Sequence, residues 1–404
     1  VTDRLVIIGA GQAGFAVAAK LRALNDMRPI TLIGAEADYP YQRPPLSKKY
    51  LLGEMSFDRL QFRPAEWYGE NNIEVMLSTK VEAIDRAEKA VRCDNGLSID
   101  YDKLVIATGS SPRKLPEDMG GNLDGVFTVR DKADADRLAA GMLPGRRLLV
   151  VGGGYIGLEA AAVARKLGLE VTVIEMAERI LQRVASKETA DAMRAIHESH
   201  GVVIREKTGL TRLLGVNGHV TDAELASGEI VACDMVIVGI GAVPGDELAT
   251  AAGLETMNGV VVDEHGRSSD PDIFAAGDCA LLPWRDGRVR LESVQNAVDQ
   301  AEAVAAVIAG ATQAYNPRPW FWSDQYDVKL QIAGFNLGYD QTVVRKGSRE
   351  GALSIWYYKD GVLIAVDGIN DAKAYVTAKK LLEQGRSVPA AQIADPAIDL
   401  KSLL

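Results

Sequence analysis

Hydrophobic positions along this chain follow two rhythms, and each predicts a different kind of element. Short, nearly unbroken apolar runs occur at Leu5-Val6-Ile7-Ile8, Ile30–Ile33, Lys103–Ala107, Leu148–Val151, Val171–Ile174 and Asp234–Val238. Runs of this length read as strands buried on both faces of a parallel sheet. Between them, helical periodicity predicts helices over 15–24, 47–52, 155–167, 187–199 and 294–309. Beyond the boundary Asn316-Pro317-Arg318-Pro319, aromatic residues concentrate and the pattern turns to short strands at 328–333, 341–346, 352–358 and 362–366. Lys359-Asp360-Gly361 joins the last two strands, and Asp371 caps a helix of residues 372–384 that stops at Gly385.

The first part of this series occurs twice. Strand, helix and strand are followed by a hairpin, around Asp94-Asn95-Gly96 in one copy and near 211–231 in the other, and then by a buried strand ending in glycine. The expected fold class is α/β, with two Rossmann-like dinucleotide-binding domains and a C-terminal α+β module. The first domain is expected to be discontinuous, 1–108 with 243–316. The second covers 109–242 and the module 317–404.

Each copy places a glycine fingerprint between strand and helix. The first is Gly9-Ala10-Gly11-Gln12-Ala13-Gly14 and the second Gly152-Gly153-Gly154-Tyr155-Ile156-Gly157. In this motif the first glycine makes the tight turn, the second lets backbone approach a pyrophosphate, and the third lets helix pack on strand. The helix N-terminus adds about half a positive charge for the phosphates. Glu36 and Glu175 stand where a ribose hydroxyl needs an acceptor. Thr108-Gly109 and Gly277-Asp278 end buried strands, where open α/β sheets place their ligands, and Asp278 can accept from sugar hydroxyls. Two such sites predict that one nucleotide is held while another visits, as in a flavoprotein that takes hydride from a nicotinamide.

Composition narrows the class further. The 404 residues are 47% hydrophobic and 25% charged, ordinary for a globular protein. With 45 Lys+Arg against 55 Asp+Glu the net charge is -10, which argues against general nucleic-acid affinity. No basic-plus-apolar leader and no apolar run of about 20 residues occurs, so no membrane span and a cytoplasmic location are expected. Cys93, Cys233 and Cys279 form no close pair, and His197 and His200, three apart, read as a solvated helix face. No metal site is expected.

Six motifs carry a family resemblance over the full length. Tyr41-Gln42-Arg43-Pro44-Pro45-Leu46-Ser47-Lys48, Ala107-Thr108-Gly109, Gly152–Glu159, Ile273–Asp278, Glu292–Ala297 and Trp320-Phe321-Trp322-Ser323-Asp324-Gln325 resemble the bacterial NADH-dependent ferredoxin reductases. The resemblance implies a glutathione-reductase-like architecture, FAD and NADH as cofactors, and transient docking of an acidic [2Fe-2S] ferredoxin serving a cytochrome P450 or a dioxygenase. It implies a monomer or homodimer. Lys48 and Glu159 are the implied catalytic pair, beside flavin N5. Implied cofactor contacts, besides the glycines and carboxylates above, are Arg43, Val81, Arg130, Tyr155, Ser293, Val294 and Trp320. Glu292–Ala297 would open a helix toward the flavin pyrimidine, and Trp320 and Trp322 would wall its other side. Where the disulfide reductases of the superfamily carry a redox cysteine pair, this chain has Arg43, Pro44 and Pro45, so thiol chemistry is disfavoured. An acidic partner needs a local basic patch, with candidates at Arg285, Arg288 and Arg290, at Arg345, Lys346 and Arg349, and at Lys379 and Lys380. The alternatives are a rubredoxin or small-acceptor reductase, or a flavin-binding signalling protein similar to apoptosis-inducing factor.

Overall fold

The computed structural model of the chain describes residues 3–285 and 287–404. The chain divides into two compact units, Val1–Gln42 with Ser56–Ser111 and Ala242–Pro317, and Arg43–Met55 with Pro112–Gly241 and Arg318–Leu404.

In the first unit, strands 273–275, 103–106, 5–8, 30–33 and 73–76 lie side by side in that order, all parallel. Every side chain of Leu5–Ile8 and Ile30–Ile33 is buried, as their unbroken apolar character requires. Helices Gln12–Ala23 and Val294–Ile308 pack together through Ala13, Ala16, Ala297 and Ala301, whose small side chains allow close approach. Strands 81–85, 90–93 and 98–100 form an antiparallel excursion. Gly96 takes φ +82° in the expected Asp94-Asn95-Gly96 turn.

The second unit repeats this plan strand for strand. Strands 203–205, 170–174, 147–151, 235–238 and 126–127 form the parallel sheet, and 210–216, 219–225 and 230–232 the antiparallel excursion. The same unit contains an antiparallel sheet in the order 320–325, 328–334, 362–369, 353–359, 341–346, covered by helix Ala372–Glu383. Trp356, Tyr358, Val366, Ala378 and Leu381 fill the space between sheet and helix.

Several expectations are corrected. No α-helix runs over 47–52: Pro44 and Pro45 supply no amide hydrogens, and the segment forms a 3-10 turn at Pro44–Ser47 followed by further turns. The strand Trp320–Gln325 shows no apolar alternation: Trp320, Phe321 and Trp322 are half-buried, polar Ser323 and Gln325 are buried, and Asp324 is exposed. Helices Ala65–Glu70 and Lys132–Gly141 were hidden by their polar character, although Asp131 caps the second. Among the described residues no helix is long and apolar enough to cross a membrane.

Candidate active site

The two glycine loops adopt one geometry. Gly9 and Gly152 have φ +111° and +108°, and a Cβ on either would sit 2.2 or 2.3 Å from the carbonyl oxygen of Ala107 or Gly239. A Cβ on Gly14 or Gly157 would strike the carbonyl oxygen of Gly9 or Gly152 at 1.9 or 2.3 Å. Gly11 and Gly154 face open space, with no atom within 4 Å of an added Cβ. The three glycine roles are therefore physically separate in both copies: two close the fold and one leaves a cradle.

The helix ends agree with that reading. Of the six described helices of ten or more residues, four have a side-chain N-cap: Asp131, Ser186, Ser293 and Asp371. The two that follow the glycine loops have none, and no acidic residue in their first turns. Their free amides and dipoles suit an anionic pyrophosphate. The residues present thus fit a dinucleotide in each unit.

Around the first cradle, Glu36 accepts the Tyr41 hydroxyl at 2.5 Å, and Thr108 donates to the carbonyl of Gly245 at 2.5 Å. Gly109 takes φ +70°, and Asp278 accepts from Ser110 at 3.0 Å. Gly277 donates to Gln300, while Ser293 caps the helix beginning at Val294. Val81 is buried at the start of the antiparallel excursion.

Around the second cradle, both oxygens of Glu175 are engaged by backbone, the Gly153 amide at 2.8 Å and the Ala177 amide at 2.8 Å. This ties the strand-end carboxylate to the glycine loop. Arg179 donates to the carbonyl of Ala185 and is not aimed as a free cation, whereas Arg183 is exposed. Tyr155 packs its ring on Phe321 at 5.0 Å, and its hydroxyl is buried without a partner, so burial drives its pKa up. Arg43 belongs to this second unit, where its guanidinium donates to the carbonyl of Arg130 at 2.9 Å.

Lys48 and Glu159 form an ion pair of 2.5 Å. Glu159 lies in the second turn of helix Tyr155–Lys166 and is 5% exposed. Ser47 donates to the same oxygen as Lys48 at 3.2 Å, and Ser323 donates to the other at 2.7 Å. Burying such a pair is tolerable only with those extra hydrogen bonds. Ser323 carried no signal in the sequence beyond its place in the Trp320–Gln325 motif. Trp320 is half-buried in the second unit, 5.5 Å from Trp322, with the Lys379 ammonium 5.0 Å from its ring.

The remaining candidates sort by their bonds. Arg290 is almost buried, pairs with Glu292 and donates to the carbonyl of Asp278, so it is a structural residue. Arg288 donates to the carbonyl of Val262, and Arg345 staples the carbonyls of Ile393, Asp395 and Ile398. Arg285, Lys346, Arg349 and Lys380 stay exposed. His197 is not solvated: it is fully buried, with both ring nitrogens bonded. Cys93, Cys233 and Cys279 are all buried, and burial pushes the Cys233 thiol up to about 12 and the other two upward. Among the described residues no cluster of metal-ligating side chains occurs.

Two nucleotide cradles, one with an ion pair at the head of its helix, define a two-dinucleotide oxidoreductase. The family described as pyridine nucleotide-disulphide oxidoreductase matches residues 3–301, and that described as reductase C-terminal matches 320–404. The chain belongs to the pyridine nucleotide-disulphide oxidoreductases and uses FAD and NAD(H). It is 43% identical to a ferredoxin–NAD(P)+ reductase of Sphingomonas sp, covering 99% of this chain and 97% of the relative. It is 42% identical to rhodocoxin reductase of Rhodococcus erythropolis, covering 98% and 93%. The putidaredoxin reductase of a covalent putidaredoxin reductase–putidaredoxin complex superposes with TM-score 0.96 at 37% identity, covering 100% and 98%.

Proposed function

We propose that this protein is an NADH-dependent ferredoxin reductase, with FAD in the first cradle, NADH in the second and an acidic [2Fe-2S] ferredoxin as the acceptor. Bound FAD supplies the conversion of a two-electron donor, NADH, into single electrons for an iron–sulfur carrier. The observation that carries the reading is the thiol inventory beside the two cradles. All three cysteines are buried with raised pKa values, so none is a ready thiolate nucleophile. The chain therefore has no thiol relay of its own between nucleotide and acceptor.

The protein's part is placement and charge. The amides at Gly11 and Gly154 hold the phosphates, and Glu36 and Glu175 take the riboses. Lys48 holds positive charge at the reacting centre, where negative charge grows as NADH is oxidised, and Glu159 compensates that ammonium when the nicotinamide is away. Trp320 and Trp322, with Lys379 above the first, give an aromatic and cationic surface suited to an acidic carrier. Arg285, Lys346, Arg349 and Lys380 add further exposed cations.

An anaerobic acceptor panel tests this. NADH with the purified holoenzyme should reduce [2Fe-2S] ferredoxins, at a rate that falls steeply with added salt. Fast reduction of a rubredoxin or a quinone with no ferredoxin reduced would overturn the assignment.

A further inference from the structure

The strand Trp320–Gln325 carries two buried polar residues, Ser323 and Gln325, that the function above leaves without a role. With Phe321 they alternate onto one face of the strand, where they meet Tyr155, Glu159 and His197.

Their hydrogen bonds form one continuous line. Tyr326 lies 3.0 Å from His197 Nδ1, and His197 Nε2 lies 2.6 Å from Gln325 Oε1. Gln325 Nε2 donates to Ser323 at 3.0 Å, and Ser323 donates to Glu159 Oε1 at 2.7 Å. Glu159 Oε2 then receives Lys48 at 2.5 Å. The donor inventory fixes the direction of every link. A carboxylate only accepts, so Ser323 gives its proton to Glu159 and its lone pair to the Gln325 amide. The Gln325 oxygen is thereby left facing His197, which must carry its proton on Nε2. Nδ1 then accepts from Tyr326. Burial lowers the His197 pKa, the direction that this arrangement of donors requires. At the outer end, His200 stacks flat on Tyr326, with 3.7 Å between ring centroids.

Every donor therefore points toward Glu159. An amide does not hand protons on as a hydroxyl does, so Gln325 makes the line a set of aligned dipoles rather than a proton conductor. Without Ser323, Glu159 Oε1 would lose the donor that satisfies it, and the carboxylate would be held through Oε2 alone, by Ser47 and Lys48.

We propose that Ser323, Gln325 and His197 are positioning residues for the Lys48–Glu159 pair, fixing the carboxylate and through it the place of the Lys48 ammonium during NADH oxidation. This rests on the reading of that pair given above. It also accounts for a histidine held fully buried on helix Lys187–Ser199.

The test uses flavin-loaded Ser323→Ala, Ser323→Thr, Gln325→Glu and Lys48→Met proteins. Two quantities are read: the rate of flavin bleaching at saturating NADH, and the protonation of His197 by side-chain nitrogen NMR. The resting protein should carry the His197 proton on Nε2 alone. Ser323→Ala should bleach about ten-fold more slowly, the cost of one bond to a charged group. Its NADH affinity should not change, and Ser323→Thr should recover most of the rate. Gln325→Glu cannot donate to Ser323, and it should draw a second proton onto His197 while slowing bleaching. Slow bleaching in Lys48→Met with a normal rate in Ser323→Ala overturns this proposal and leaves the pair's role intact. A normal rate in Lys48→Met overturns the pair's role and this proposal together. A resting His197 protonated on Nδ1 overturns the hydrogen-bonded line itself.

Discussion

The two nucleotide folds share strand order, antiparallel excursion and glycine geometry, yet the surfaces around their cradles differ. In the first, Gln12 and Ala13 follow the loop, and the buried strand ends in Thr108, bonded to Gly245. Ala13 is 6% exposed, under helix Val294–Ile308. In the second, Tyr155 and Ile156 take those places and Ile240 takes that of Thr108. Ile156, Met176 and Ile240 are exposed by 54%, 80% and 37%. These three follow the glycine loop, the carboxylate strand and the last central strand, so the rim of the second cradle is apolar. A covered, bonded cradle suits a resident nucleotide, while an open apolar rim suits one that binds, reacts and leaves. On the assignment of FAD and NADH proposed above, one backbone plan would serve two residence times, with the difference made by a few side chains at the sheet's edge.

The sharpest way to break this comparison is to fill each cradle separately. Gly11→Val and Gly154→Val place a side chain in open space, so the fold should survive in both. Gly11→Val is expected to purify without flavin. Gly154→Val should keep its flavin and lose at least about 100-fold in kcat/KM for NADH, roughly 3 kcal/mol. Flavin absorbance and steady-state kinetics check both, and loss of flavin from Gly154→Val would reverse the assignment of the cradles.

A smaller effect is expected at Glu175. Unit charges 4 Å apart interact by about 4 kcal/mol at an effective dielectric of 20. Retaining half of that, the carboxylate should favour NADH over NADPH by roughly 30-fold. Glu175→Gln should remove most of that preference, as the ratio of kcat/KM for the two nucleotides will show. An unchanged ratio would move the selectivity elsewhere, with exposed Arg183 the next residue to examine.

The smallest effect concerns what supports the second unit. Asp367 is fully buried; desolvation raises its pKa to about 6, against hydrogen bonds from Thr189 and Tyr357 that lower it. Its other oxygen has no partner. Because the folded pKa lies above the unfolded value, the protonated acid favours folding. That contribution is full below about pH 4 and is lost as pH rises through about 6. Asp367→Asn should therefore stabilise the protein at pH 8, by about 1–2 kcal/mol after allowing for altered hydrogen bonds, and not at pH 4. Thermal unfolding at the two values measures it. A variant destabilised equally at both would show that the carboxyl is held for its hydrogen bonds alone.

Much of this was legible in the sequence for a physical reason. Buried parallel strands advertise themselves as unbroken apolar runs, and the glycines stand where only a missing side chain fits. Hence both sheets' central strands and the fingerprints could be named before the fold, while the Lys48–Glu159 pair came from the family resemblance of the motifs that hold it. What was missed depends on tertiary contact. Ser323, Gln325 and His197 are polar residues with no periodic signal, and their burial follows from meeting one another across a strand and a helix. Arg290 and Arg345 look like surface cations in the sequence, and only the fold shows the carbonyls that occupy them. The segment 47–52 reads as a helix after Pro45 in the sequence, but the chain there makes only a 3-10 turn at Pro44–Ser47 and further turns.

The central claim is that a two-electron donor in one cradle is converted to single electrons delivered to a protein carrier. The most direct test is an anaerobic titration of the holoenzyme and excess oxidised [2Fe-2S] ferredoxin with limiting NADH, followed at the iron–sulfur absorbance. The account predicts two ferredoxin molecules reduced for each NADH consumed. Ferredoxin left oxidised, while the same NADH promptly reduces a neutral small acceptor, would contradict it.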